Sequence, residues 1–346
     1  MQRRRVRISD VAARAGVSTT TVSHVLNDVA GKRITDETRE RVRLAAQELG
    51  YAPNAFARSL RTQRSQLIAL VSDEIATTPF AVQIIRGAQE AASKQGWLLI
   101  VANTGTDGQL EATEIEALRQ RQVDGFLYAR MFNDRVSVPP SLAGAPTVLL
   151  DATSDDVSFS SVVPDEVQGG RTATRVLIDQ GHRRIGFINN IDDIPATAGR
   201  LAGYRAALEE AGIAFDPTYV VDDTTLIADP DLHGARTLLD LPERPTGIFC
   251  FNDQVAMKTY YAASERGLRI PEDLSVVGFD NLDLLAEGLR PGLTTVALPH
   301  YEMGVWAVET LIHQIQDTGH PVAEQALMAC PLVERASVAP PKGAPG

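Results

Sequence analysis

The chain has 346 residues, enough for two or three domains, and its 44% hydrophobic and 22% charged residues are an ordinary composition for a soluble protein. No apolar run approaches the ~18 residues that a membrane-spanning helix needs, and the basic N-terminus lacks the apolar core of a signal peptide, which excludes membrane and secreted proteins and predicts a cytoplasmic location. Cys250 and Cys330 lie far apart in apolar runs, so buried free thiols are expected rather than a disulfide or a metal site.

Charge divides the chain into a basic head and an acidic body. Residues 1–64 contain 13 Lys and Arg against 6 Asp and Glu, whereas the whole chain has a net charge of −11. A small basic segment on an acidic remainder is typical of a domain that binds the phosphates of nucleic acid. A disordered basic arm is the weaker alternative, because the head has regular apolar spacing.

The head begins with a pattern typical of two short helices joined by a tight turn. The apolar spacing of residues 8–15 predicts a helix that starts after Ser9 or Asp10 and ends at Gly16. Ser18 is a favourable N-cap for the next helix, because its hydroxyl can accept a hydrogen bond from a free backbone N–H. The small Ala12, the glycine Gly16 and the β-branched Val22 are spaced as in a helix-turn-helix.

The second helix carries hydroxyl groups and little charge outside its apolar stripe. Val22, Val25 and Leu26 form the stripe, so the other side chains point outward or sideways. Threonine and histidine can hydrogen-bond base edges in the major groove, and serine can reach phosphates; simple caps and surface residues are the alternative. The predicted DNA contacts in this segment are Ser18, Thr19, Thr20, Thr21, Ser23, His24 and Asn27.

A third helix follows a basic loop. Thr35 is predicted to cap this helix and Gly50 to end it, which places the head domain at residues 1–52. Lys32 and Arg33 lie in the loop before the helix, where they can contact phosphates or bases.

Residues 53–65 are predicted to form a hinge. Their helix is barely two turns long, too short to be stable alone in water. Ala57 and Leu60 share one face, and arginines including Arg61 surround it. An exposed leucine among arginines fits an apolar wedge between base steps of the minor groove, and a plain linker is the alternative.

These segments resemble a known family. The sequences "RISDVAARAGVSTTTVSHVLN" and "ITDETRERVRLAAQELGYAPNAFARSLRT" are similar to the DNA-binding head and hinge helix of the lac repressor family. The resemblance implies a dimer on a pseudo-palindromic DNA operator, with recognition helices in two major grooves. The matching positions are Thr19, Thr20 and His24 for reading bases, Leu60 for kinking the central step and Arg61 for the minor groove. Whether Lys32 or Arg33 makes the loop contact stays open.

The body alternates apolar runs with helical segments from residue 66 onward. About eleven strands are expected, which favours two doubly wound subdomains of parallel sheet over one sheet. The predicted fold is therefore a small all-α helix-turn-helix head plus an α/β body.

Several predicted strands end in a carboxylate or an amide. The carboxyl ends of parallel strands border the ligand crevice in open α/β sheets. With Arg200 in "AGRLAGYRAAL", these side chains predict a polar cleft that can fix vicinal hydroxyls, although each could instead cap a helix. The strand-end residues are Asp73, Asp151, Asn252, Asp253 and Asp280.

The body is similar to the periplasmic-binding-protein-like effector domain of the same family, through "VPDEVQGGRTATRVLIDQGHRRIGFI", "FNDQVA" and "RIPEDLSVVGFDN". The resemblance implies three crossings between subdomains, near residues 163, 293 and 323. The resulting segments are 66–163 and 294–323 for the N-subdomain, 164–293 and 324–337 for the C-subdomain, and 338–346 for a disordered tail. By motif match the effector contacts are Asp151, Arg200, Asn252 and Asp280, with Phe80 and Ile84 on the apolar side. His182 is expected to be structural.

The resulting hypothesis is a cytoplasmic, ligand-responsive repressor that binds its operator as a homodimer and is released by a small sugar. A dimer is favoured over a tetramer because no leucine heptad follows the body. A nucleobase or a phosphorylated metabolite, as effector or corepressor, is the alternative. An enzyme is disfavoured since no catalytic, metal or nucleotide-binding motif occurs, and the basic head disfavours a transport protein. No cofactor, metal or membrane partner is expected.

Overall fold

The computed structural model describes residues 6–26, 33–51, 64–75, 78, 81–224, 231–317 and 322–342. The chain divides into two compact units, Met1–Gln66 and Leu67–Gly346, called here the head and the body. None of the helices in the described ranges is long and apolar enough to cross a membrane.

Three helices form the described part of the head: α1 (Ile8–Ala15), α2 (Thr19–Leu26) and α3 (Asp36–Leu49). Their buried residues make one small core. The helix α1 begins earlier than predicted, because Oδ2 of Asp10 accepts a hydrogen bond from the backbone N–H of Arg7 at 2.8 Å and caps the first turn. Gly16 ends α1 with a φ of 65°, a left-handed conformation that suits glycine.

The body contains two six-stranded sheets with helices on both faces, as the strand–helix alternation predicted. The first sheet has the order β11-β5-β4-β3-β1-β2, and all its neighbours are parallel. Its strands are β1 (Leu67–Ser72), β2 (Leu98–Asn103), β3 (Gly125–Arg135), β4 (Thr147–Thr153), β5 (Ser160–Pro164) and β11 (Gln325–Met328). The helices α4 and α11 cover one face of this sheet and α5 covers the other; they span Val82–Lys94, His300–Gln316 and Gly108–Gln120.

The second sheet has the order β12-β10-β9-β8-β6-β7 and is parallel except for the pair β10–β12. Its strands are β6 (Ile185–Asn190), β7 (Val220–Asp223), β8 (Gly247–Cys250), β9 (Ser275–Asp280), β10 (Thr294–Ala297) and β12 (Leu332–Val333). Its helices are α6 (Glu166–Asp179), α7 (Pro195–Glu210), α8 (His233–Leu239), α9 (Asp253–Glu265) and the short α10 (Asp283–Ala286). The helices α6 and α7 lie on one face of the sheet, and α8 and α9 lie on the other.

Two of the three crossings between the sheets lie later in the chain than predicted. The first follows β5, close to the expected residue 163. The second was predicted at 293, but β10 pairs with β9 in the second sheet, so the chain crosses after Ala297. The third was predicted at 323, but β11 pairs with β5 in the first sheet, so the chain crosses after Met328. Strands of both sheets are apolar runs, and their sequence does not indicate which neighbour they pair with.

The C-terminal segment was predicted to be a disordered tail over 338–346, which is wrong for residues 338–342. The backbone N–H of Ala339 donates to Oγ of Ser275 at 3.0 Å, and its carbonyl accepts from Nε2 of His182 at 2.9 Å. A composition rich in proline and glycine does not reveal such tertiary hydrogen bonds. His182 is buried and structural, as predicted, and Cys250 and Cys330 are buried free thiols.

Candidate DNA-binding face and effector cleft

The helix α2 exposes the hydroxyl-rich face that the sequence predicted. Oγ of Ser18 accepts a hydrogen bond from the backbone N–H of Thr21 at 3.1 Å and so caps the helix. Thr19 and Thr20 are exposed, because Val22 and its neighbouring apolar residues fill the core below them. These small polar side chains are therefore available for contacts outside the head.

The other predicted DNA contacts are half-buried, exposed or outside the described residues. Thr21, Ser23 and His24 are half-buried, and Arg33 is exposed. The hydroxyl of Thr21 also lies 2.9 Å from that of Ser18, so both hydroxyls help to fix the start of α2. Five predicted contacts lie outside the described residues, namely Asn27, Lys32, Ala57, Leu60 and Arg61.

Arg41 fixes the turn before α2, a role that the sequence did not suggest. Its Nε donates to the carbonyl of Ala15 at 3.1 Å, at the C-terminal end of α1. A cation at a helix C-terminus interacts favourably with the free carbonyls there. An ion pair of 2.7 Å between Arg14 and Glu48 also joins α1 to α3.

In the body, a cavity of about 260 Å³ lies where strands of both sheets end. Asp151 lies two residues before the end of β4, Asp280 ends β9, and Asn252 follows β8. Arg200 reaches the same cavity from α7. The described residues that line it are Thr78, Met131, Phe132, Asn133, Asp151, Pro164, Glu166, Asn190, Ile194, Ala196, Arg200, Phe251, Asn252, Gln254, Asp280, Leu298 and His300. The structure thus brings together the four polar residues that were predicted to contact an effector.

Arg200 is buried and held on all sides. Its Nε donates to Oε2 of Glu166 at 2.8 Å, and Nη1 donates to the carbonyl of Phe251 and lies 3.6 Å from Oδ1 of Asp280. The guanidinium stacks over the ring of Phe279, 3.7 Å from its centroid. The group is therefore oriented by protein partners before any ligand enters.

The helices that carry Glu166 and Arg200 pack unusually closely. A Cβ at Gly203 of α7 would lie 2.1 Å from the carbonyl oxygen of Val167 in α6, and a Cβ at Gly170 would lie 2.4 Å from the carbonyl oxygen of Arg200. Only glycine permits this approach, so the glycines set the distance between the two charged side chains.

Asp151 is the least satisfied polar group of the cavity. Its side chain is buried, and among the described residues no hydrogen-bond donor reaches its Oδ1. Its Oδ2 lies 3.9 Å from Nε2 of His300. Burial, followed by repulsion from the Glu166 carboxylate, raises the pKa of Asp151 well above its ordinary value. The residue also has a φ of 52°, which points to a constrained backbone at the cavity wall.

Asn252 and Asp280 complete the polar wall. Oδ1 of Asn252 accepts from the backbone N–H of Val255 at 3.0 Å and caps α9, as expected for part of its role. Asp280 has a φ of 96°, and burial raises the pKa of its carboxyl well above the ordinary value although Arg200 opposes the shift.

Comparisons with known proteins agree with both halves of this description. The family described as bacterial regulatory proteins, lacI family, matches residues 7–54, and a periplasmic binding protein-like domain matches residues 157–338. A curated repressor, PurR of Vibrio atlanticus, is 36% identical over 320 residues, which cover 90% of this chain and 93% of that protein. The chain belongs to the lacI family of bacterial regulatory proteins.

Solved structures of the family share the fold of this lacI-family protein. The lac repressor dimer bound to operator and an anti-inducer is 27% identical, has a TM-score of 0.77, and is matched over 97% of this chain and 100% of its own. A complex of the regulator CelR with cellobiose is 31% identical, with a TM-score of 0.67 and coverage of 96% and 100%. The protein is therefore a DNA-binding transcriptional repressor of the lacI family and not an enzyme.

Three predicted features of the effector cleft need correction. Ile84 does not line the cavity but lies in the core between α4, α11 and the first sheet, because its face of α4 points at α11. Asp73 accepts hydrogen bonds from the backbone of Glu74 and Met131 and shapes the loop ends. Asp253 is fully buried and is absent from the described lining of the cavity. Phe80 lies outside the described residues.

Sequence reasoning missed several lining residues, above all Glu166 and His300. Each follows the end of a strand at a crossing between the sheets, Glu166 after β5 and His300 after β10. Both lie two or three residues beyond the end of the strand, whereas the predicted residues are those that end the apolar run itself. Phe132, 42% exposed on the extension of β3, had no signal of this kind.

Proposed function

We propose that the protein represses transcription by binding a pseudo-palindromic operator as a homodimer and is released from it by a small sugar. The observation that carries the sugar assignment is the cavity between the two sheets, where carboxylates, an amide and a guanidinium converge. Such groups form paired hydrogen bonds with vicinal hydroxyls in a site with little water.

The residues of the cavity wall come from both subdomains, which supports a link between sugar binding in the body and DNA binding by the head. Asp151 and His300 belong to the first sheet and its helices, whereas Glu166, Arg200 and Asp280 belong to the second. A ligand that contacts both sides stabilises one relative orientation of the subdomains, and it shifts the equilibrium by its difference in affinity for the two orientations. In this proposal the sugar-bound orientation separates the hinge segments of the dimer and lowers affinity for the operator.

Apolar surface on the first subdomain supports the homodimer. Leu98 on the edge strand β2 is 62% exposed, and Val82 at the start of α4 is 51% exposed. Exposed apolar side chains that recur on neighbouring elements are typical of contact surfaces between chains. We also propose that the protein acts in the cytoplasm, since a repressor must reach the chromosome.

Fluorescence anisotropy tests this function directly. Labelled DNA from upstream of the protein's own gene is titrated with the full chain, with and without a panel of mono- and disaccharides. Tight binding that one sugar weakens is expected. Asp280→Asn should reduce the sugar response at least about tenfold, whereas Asp222→Asn, an exposed change on β7, should leave it intact.

The same titration separates the alternatives. Weakening or strengthening by a nucleobase, with no effect of any sugar, would replace the proposed effector but keep the repressor. Equal loss of response in Asp280→Asn and Asp222→Asn would mean that the cavity is not the effector site.

A further inference from the structure

The only Arg or Lys among the described residues of the cavity wall is already neutralised. Two nitrogen atoms of Arg200 contact the carboxylate of Glu166, at 2.8 and 3.4 Å, and a third donates to the carbonyl of Phe251. Asp280 lies 3.6 Å from the same guanidinium. An anionic ligand would therefore have to compete with two carboxylates for this cation.

The rest of the wall offers acceptors for hydrogen bonds. Three carboxyl groups, those of Asp151, Glu166 and Asp280, line the cavity against the one guanidinium. Oδ1 of Asp151 is buried and has no donor among the described residues. His300, 3.9 Å from Oδ2 of Asp151, is the other lining group able to carry a positive charge. A buried acceptor without a donor is costly, so a ligand that supplies the donor gains affinity.

We propose that the effector carries hydrogen-bond donors, hydroxyl or ammonium, and no anionic group, so that the cavity rejects phosphorylated metabolites. This inference rests on the proposed function, because it concerns the same cavity. A phosphate ester would meet three carboxyl groups and no unpaired Arg or Lys of the described wall, so its negative charge would enter the cavity without a counter-ion. Burying such an uncompensated charge beside acidic groups weakens binding by at least about 100-fold.

Binding measurements on the full chain test the proposal. Isothermal titration with ribose and glucose is compared with titration by the terminal phosphate monoester of each sugar, and glucosamine serves as the ammonium-bearing probe. We expect at least about 100-fold weaker binding of each phosphate ester than of its parent sugar. Tighter binding of glucosamine than of glucose would identify ammonium as the preferred donor; the reverse order would identify hydroxyl.

Two variants each replace one carboxyl group of the cavity by an amide. Glu166→Gln keeps the shape of the side chain but frees Arg200, so it should reduce the preference for the parent sugar over its phosphate ester at least about tenfold. Asp151→Asn makes the same replacement while leaving the pair of Arg200 with Glu166 intact. It should weaken the parent sugar without a comparable gain for the ester. Circular dichroism melting checks that both variants fold.

Each result decides one of the two proposals. A phosphate ester that binds the unmodified protein as tightly as its parent sugar overturns the inference but leaves a ligand-responsive repressor. If no probe binds the unmodified protein and no sugar of the anisotropy panel changes operator binding, the sugar effector is wrong. Gain of ester binding in Glu166→Gln then supports the exclusion of anions, and no gain overturns it.

Discussion

Asp253, the residue after the cavity-lining Asn252, is fully buried, and its replacement by asparagine should change how stability depends on pH. Oδ1 accepts from the hydroxyl of Thr295 at 2.6 Å, and Oδ2 accepts from the backbone N–H of Leu282 at 2.7 Å. Burial raises the pKa of Asp253 from 3.8 to about 7, because desolvation outweighs these two hydrogen bonds.

The sign of the effect follows from proton binding. In the unfolded chain Asp253 loses its proton near pH 4, whereas in the folded protein it keeps the proton until about pH 7. The folded state binds more protons in this window, so its stability falls as pH rises through it and levels off above it. At about 1.4 kcal/mol per pH unit, the loss amounts to roughly 4 kcal/mol.

The variant Asp253→Asn has no titrating group at this position, and its amide can donate to Thr295 while its side-chain carbonyl accepts from the backbone of Leu282. Urea unfolding at pH values from about 4 to 8 should therefore show the free energy of unfolding of Asp253→Asn rising relative to the unmodified protein by roughly 4 kcal/mol. Asp222→Asn, on the exposed side of β7, is the matched control. A difference that stays constant across this range would refute the reasoning and mean that Asp253 is ionised in the folded protein.

Four other substitutions test other parts of the molecule. His182→Ala should speed hydrogen exchange in residues 338–342, and an unchanged exchange rate would contradict the anchoring role of this histidine. In the unmodified protein burial lowers the pKa of His182 below 6.5, so the free energy of unfolding should fall as pH drops below 6.5. Gly203→Ala should lower the free energy of unfolding by about 1–3 kcal/mol in urea, whereas Gly108→Ala, with open space around its Cβ, should not, and equal effects would argue against the close helix contact. Arg200→Met should lower the free energy of unfolding by about 3–5 kcal/mol, because it leaves the buried side chains of Glu166 and Asp280 without their cationic partner. An unchanged free energy of unfolding would mean that these carboxyl groups do not need the guanidinium. Leu60→Ala should reduce affinity for the specific operator in anisotropy assays and keep weak, salt-sensitive binding to DNA of any sequence. Equal loss of specific and non-specific binding would mean that the hinge segment only links the head to the body.

The fold was predictable because its local signals are strong. Parallel strands buried on both faces are continuous apolar runs, and caps such as Ser18, Thr35 and Asn252 mark where helices begin. Asp151 near the end of β4 and Asp280 at the end of β9 were correctly expected to line one cleft, because ligand sites of parallel sheets lie at the carboxyl ends of the strands.

What the sequence did not reveal depends on contacts between distant segments. Strand β10 could pair with either sheet, and only the packing of its neighbours decides which. Ile84 was placed in the cleft by its match to the family's motif, but its side chain lies in the core between α4, α11 and the first sheet. Glu166 has no local signal in the sequence, because its partner Arg200 lies 34 residues later and the two side chains come within 2.8 Å only in the folded protein.

The three crossings have a consequence for the order in which the protein can be made. Strand β11 joins the first sheet beside β5, where Gln325 pairs with Ser161, 164 residues earlier in the chain. A ribosome must therefore synthesise almost the entire polypeptide before either sheet is complete. The helix α2, which the sequence predicts to contact DNA, emerges far sooner, within the first 26 residues. Chains that terminate shortly before β11 keep the helices of the head but lack an edge strand of each sheet, so loss of the segment from Gln325 onward damages both sheets of the body and leaves the helices of the head in place.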